Sequence, residues 1–92
     1  MEVVKIGSFV KSIKGRDIDN IYIVKNVLNG KVELIDGYGK KLENPKVKNL
    51  KHICAFADCA ESIKNKLLNN TKIFNEEVYS AIRKFKQEKG VL

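Results

Sequence analysis

The sequence predicts a mainly β fold with an α tail: a small five-stranded β-barrel over residues 1–57, followed by a two-helix segment over 58–92 packed on it. Three observations predict it. Up to Phe56, short β-branched runs are punctuated by Gly, Asn and Asp, whereas beyond it the apolar spacing lengthens to that of helices. Asn29-Gly30 falls between two of the runs, which is the strongest hairpin signal in the chain. Five short runs joined by tight turns fit a small barrel. At 92 residues, with no internal repeat or flexible linker, the chain reads as a single domain, 1–92.

The elements follow in order. Residues 8–14 read as a first strand, closed by the polar loop 15–20. In residues 21–28, Ile21, Ile23 and Val27 alternate with Tyr22, Val24 and Leu28, so both faces of this second strand are apolar and both need a cover: the barrel interior on one side, a helix on the other. Asn29-Gly30 suits a type I′ turn. Residues 31–36 form a third strand with Val32 and Leu34 inward. Gly37-Tyr38-Gly39 turns the chain into a fourth strand at 40–43, which Asn44-Pro45 ends because proline donates nothing to a ladder. Residues 50–56 give the fifth.

Asp58, with Glu61 three residues on, predicts a capping box for the first helix, whose apolar positions are Ala60, Ile63 and Leu67. Asn69-Asn70 stops it. Asn75 is placed to cap a second helix with Glu76 and Glu77 in its first turn, an apolar stripe of Val78, Ile82 and Phe85, cations Arg83, Lys84, Lys86 and Lys89 towards its end, and Gly90 as its stop.

Charge is the main functional signal. Eighteen Lys and Arg against eleven Asp and Glu give +7, a bias towards a polyanionic partner such as RNA, DNA or an anionic membrane surface. Hydrophobic residues make up 43% of the chain, which excludes intrinsic disorder on composition. Cys54 and Cys59 form no secreted-type disulfide framework and read as reduced thiols. Met1 to Lys5 carries no signal-peptide pattern and no window is long and apolar enough for a membrane span, so the expected location is cytoplasmic.

Val10-Lys11-Ser12-Ile13-Lys14-Gly15-Arg16-Asp17, followed by Ile21-Tyr22-Ile23-Val24, resembles a KOW motif. A second stretch supports the likeness: Leu34-Ile35-Asp36-Gly37, then Lys40-Lys41-Leu42-Glu43-Asn44-Pro45-Lys46 and Lys48-Asn49-Leu50-Lys51-His52. Together these are similar to the small bacterial KOW-domain RNA-binding proteins related to a group of eukaryotic and archaeal large-subunit ribosomal proteins. The likeness covers residues 6–56 closely and the helical tail loosely. It implies an SH3-like barrel of KOW type, binding to ribosomal or other structured RNA, association with the ribosome and translation, and no catalysis. Gly15, Arg16 and Asp17 match the family's loop between the first two strands, where backbone and Arg approach phosphate. Lys40, Lys41, Lys46, Lys48 and Lys51 match its basic stretch, and His52 the histidine near the end of that stretch. Asp19 stands where the family has a second glycine, with Asn20 beside it as the residue expected to take the left-handed conformation.

The candidate RNA-binding residues are therefore Lys14, Gly15, Arg16, Tyr38, Lys40, Lys41, Lys46, Lys48, Lys51 and His52. Five lysines between positions 40 and 51, interrupted only by Glu43, suit a phosphate backbone, because each neutralised phosphate releases counterion. The plainer alternative is a solvated face. Tyr38, in a glycine-flanked turn, is the best stacking platform, while Phe9 and Tyr22 read as core. His52, Cys54 and Cys59 match no common zinc spacing, so no metal is expected, with Cys54 a buried thiol and His52 its neighbour on the same strand face. Asp17, Asp19 and His52 form no nucleophile, base and orienting set, and no phosphate-cradling glycine loop is present. The expected function is non-enzymatic RNA binding without cofactor, membrane or small-molecule substrate. The rival is a protein-interaction adapter of the translation or transcription machinery that docks through the basic helix starting at Asn75.

Overall fold

The computed structural model describes residues 3–90; the ends of the expected domain, Met1, Glu2, Val91 and Leu92, lie outside them. Five strands, β1 (Ser8–Ser12), β2 (Ile21–Leu28), β3 (Lys31–Ile35), β4 (Lys46–Asn49) and β5 (Ile53–Cys59), form one antiparallel sheet in the order β4-β3-β2-β1-β5. Helices α1 (Glu61–Leu68) and α2 (Asn75–Lys89) follow. Among the described residues no ladder joins β4 to β5. Register shifts between Ser8 and Val10 and between Val24 and Asn26 mark bulges, which bend strands and increase twist.

The double-sided apolar pattern of β2 is used over residues 21–24 only; beyond the bulge between Val24 and Asn26, Val27 and Leu28 are exposed, so the expected cover does not reach the end of the strand. Ile21 and Ile23 join Phe9, Ile35, Ala60, Ile63, Val78, Ile82 and Phe85 in a core between the sheet and both helices. Tyr22 and Val24 join Val10, Val32, Leu34 and Ile53 in a second core on the other face. Phe9 stacks on Phe85 with ring centroids 4.1 Å apart, which locks β1 to α2. The helical tail therefore shares a core with the sheet.

Several boundaries differ from expectation. The fourth strand is Lys46–Asn49, not 40–43. Residues 40–44 form turns instead, with the Asn44 N–H donating to the Lys41 carbonyl and the Asp36 N–H to the Lys40 carbonyl. Residues Leu50–His52 make a 3-10 turn rather than strand, capped by Asn49, whose side chain accepts from the Lys51 N–H at 2.9 Å. The Asn29-Gly30 hairpin forms, but only Gly30 has positive φ (+69°), so the turn is not type I′, which needs both. Asp58 caps nothing, because β5 runs on to Cys59 opposite Ser8 and its carboxylate pairs with Lys89 at 2.8 Å. Ala60 starts α1 without a side-chain cap. Phe74 takes the cap position of α2, with Glu77 accepting its N–H at 2.8 Å, and Asn75 is the first helical residue. Cys54 is exposed, not buried.

Candidate nucleic-acid interface

Register places three separate segments at one end of the sheet. Ser12 pairs with Ile53, Lys11 with Ile21, Ile23 with Ile35 and Leu34 with Lys46, so that end collects the loop 13–20, the loop 36–45, the start of β4 and the junction of the 3-10 turn with β5. Lys14, Gly15, Arg16, Tyr38, Lys40, Lys41, Lys46 and His52 belong to these segments. Lys48 instead lies within β4 opposite Val32, and Lys51 in the 3-10 turn, which begins with the Leu50 N–H bonded to the Gly30 carbonyl at the other end of the sheet. The Ile13 N–H donates to the His52 carbonyl at 2.9 Å, which seats the loop bearing Lys14 and Arg16 beside the turn bearing Lys51.

The loop 13–20 is shaped by its own polar groups. Its ends close through the Ser12 N–H to the Asn20 carbonyl at 2.9 Å and the Asp19 N–H to the Ser12 carbonyl at 2.8 Å. Gly15 has φ +98°. Asp19, not Asn20, takes the left-handed conformation, at φ +73°. An Asp there costs less than a branched residue would, though more than glycine.

Asp17 turns inward. Its Oδ1 accepts from Ser12 Oγ at 2.9 Å and Lys48 Nζ at 2.7 Å; its Oδ2 accepts from Tyr22 OH at 2.9 Å, with Lys46 Nζ 3.8 Å away. Burial pushes the carboxyl up, but the donors Lys48, Ser12 and Tyr22 and the Lys46 charge outweigh it and hold the group well below the usual carboxylate range. Burial, with the Asp17 carboxylate adding, pushes the Tyr22 phenol up to about 12 against the donor effect of Asn20. This network ties the β1–β2 loop to the edge strand β4 across the mouth of the second core. Nothing in the residue order pointed to it, since Asp17 and Lys48 are far apart in sequence.

The candidate cations thus divide. The Lys48 side chain is only 10% exposed and committed to Asp17. Lys46 is half-buried beside it. Lys14, Arg16, Lys41 and Lys51 are exposed and Lys40 half-buried, and among the described residues none of these has a carboxylate within ion-pair distance. His52 is half-buried in the 3-10 turn, with its carbonyl committed to Ile13.

The loop 36–45 rests on α2. Asp36 Oδ1 accepts from the N–H groups of Tyr38 (2.9 Å) and Lys40 (2.7 Å), which sets the turn. Gly37, at φ +78°, lies so close to α2 that a Cβ would meet the Asn75 carbonyl and the Tyr79 backbone. Asn75 uses its side chain here, accepting from the Leu42 N–H at 2.8 Å and donating to Glu43 at 3.0 Å. Lys25 Nζ donates to the Leu42 carbonyl at 3.0 Å. Tyr38 is 78% exposed, and its ring stands 6.0 Å from that of Tyr79. Tyr79 and Lys86 join this end of the molecule from α2; the sequence singled out Lys86 only as a cation towards the helix end and gave no signal for Tyr79.

No family model matches the chain, and no curated protein matches it. No helix among the described residues is long and apolar enough to cross a membrane.

Proposed function

We propose that the chain is a non-enzymatic, cytoplasmic RNA-binding protein, an SH3-like barrel of KOW type that holds structured RNA, ribosomal RNA in the first instance, through phosphate contacts. The observation that carries the reading is that Lys14, Arg16, Lys40 and Lys41 lie in the two loops at one end of the sheet, with Lys51 in the turn whose His52 carbonyl accepts from the Ile13 N–H, and that none of them has a carboxylate within ion-pair distance among the described residues. Unpaired cations at that density raise local anion concentration and suit a polyanionic backbone. The five-stranded antiparallel sheet with two bulges, and the Asp17 tie between the β1–β2 loop and edge strand β4, support a curled, barrel-like closure. Asp19 at positive φ supports the KOW likeness, since that position holds glycine in the family. Asp17, the acid shifted furthest from its usual range, is fully engaged by donors that fix a loop, which is a structural use of a carboxylate.

Lys48 is left out of the contact set because its ammonium serves Asp17. The combined variant Lys14→Glu, Arg16→Glu, Lys41→Glu and Lys51→Glu tests the reading. Affinity for a structured ribosomal RNA fragment should fall by about 100-fold or more at moderate salt, while thermal unfolding stays within a few degrees of the parent. Unchanged affinity would remove this end of the sheet from the interface.

A further inference from the structure

Where the loop 36–45 meets α2, a cleft of about 190 Å³ opens between Asn20, Asp36, Tyr38, Tyr79, Ile82 and Lys86. It lies below the range of about 300–1,000 Å³ that encloses a whole drug-sized ligand, so it suits one planar ring of something larger. Two tyrosine rings line it, with centroids 6.0 Å apart and planes tilted 43°, too close and too skewed to sandwich a ring between them, while Tyr38 is 78% exposed and so open to a guest. Ile82 supplies an apolar floor, and Lys86 a cation at the rim.

Asp36 gives the cleft its chemistry. Its Oδ1 is used twice in setting the turn, by the Tyr38 and Lys40 N–H groups, and among the described residues none donates to Oδ2. A free carboxylate oxygen repels phosphate, so it contradicts a surface built only for backbone contact. It is what the edge of a base with N–H donors requires. Guanine offers adjacent N1–H and N2–H donors together with an O6 acceptor, and the Asn20 amide can donate to such an acceptor. Unpaired bases in folded RNA are read in this way, by aromatic stacking and by hydrogen bonds to their Watson–Crick edge.

We infer that the cleft between the Tyr38 turn and α2 takes one unpaired guanine, stacked on the Tyr38 ring with Tyr79 bracing that ring, and read through Asp36 Oδ2, with Lys86 on its phosphate. The inference rests on the RNA-binding reading and adds base selection to it. Asp36→Asn is the discriminating variant, because it keeps an oxygen to set the turn while it replaces the free acceptor with a donor.

The experiment measures affinity of the full chain for a hairpin RNA with a single-nucleotide bulge, made with G, A, C or U in the bulge, beside the fully paired hairpin. The G bulge should bind about 5- to 100-fold tighter than the paired hairpin and tighter than the other three bulges. Tyr38→Ala and Tyr79→Ala should each remove most of that gain without changing the salt slope, and Asp36→Asn should level the four bulges. Equal binding of all five RNAs with a steep salt dependence would overturn the guanine site and leave phosphate binding standing. Absence of binding to every RNA at low salt would overturn both.

Discussion

Asp17 gathers two hydroxyls and two ammonium groups around one carboxylate, and its side chain is only 11% exposed. Removing the charge strands the Lys48 ammonium in a poorly solvated place, so Asp17→Asn should cost about 2–4 kcal/mol in chemical denaturation near neutral pH. The pH dependence follows from the sign of its shift. The folded-state value lies below the ordinary 3.8, so the stabilisation is complete above that value and is lost as pH falls beneath it. The gap between parent and Asp17→Asn should therefore narrow below about pH 4; a constant gap would show that the carboxylate's charge is not what stabilises the loop. Asp19 makes the opposite case. It holds positive φ, and its exposed pair with Lys11 spans 4.0 Å and contributes little. Asp19→Gly should raise stability by up to about 1 kcal/mol, and a clear loss would mean that the Asp side chain itself holds the loop.

The elements show where the sequence was readable and why. The apolar periods of β2 and α2 were strong, so their extents and buried positions (Ile21, Ile23, Val78, Ile82, Phe85) followed directly. The edge strand β4 was not, because its polarity is inverted: Lys46 and Lys48 face inward while Val47 is 54% exposed. Inward charges on an edge strand deter pairing with other chains, and they remove the signal by which strands are recognised. Caps failed for a related reason. Asp58 and Asn75 have the right chemistry for capping, but each was drawn to a tertiary partner, Lys89 for one and the Leu42 and Glu43 positions for the other. The Asn75 bonds dock the loop 36–45 on α2, so Asn75→Ala should cost about 1–2 kcal/mol. Gly37→Ala should cost more, about 2–3 kcal/mol, since a Cβ there meets helix backbone that has no room to move. A Gly37→Ala protein as stable as the parent in thermal unfolding would mean that the loop packs differently.

For the whole molecule, the separation of cations matters more than their total. The +7 charge was visible in composition, but the division between lysines that build the protein and lysines that face outward needed the fold. Lys48, Lys46, Lys66 and Lys89 are held by Asp17, Glu77 and Asp58, whereas Lys14, Arg16 and Lys41 remain exposed in the loops at one end of the sheet and Lys51 in the 3-10 turn bonded to the first of those loops. Lys48→Glu should accordingly destabilise the protein, while charge reversal at Lys51 should leave stability within about 0.5 kcal/mol and weaken RNA binding alone. The most direct test of the central claim is the affinity for a structured ribosomal RNA fragment across a salt series. With four to five cations on phosphates, log K should fall linearly with log salt at a slope between about −3 and −5. A slope near zero, or no binding at low salt, would contradict the account.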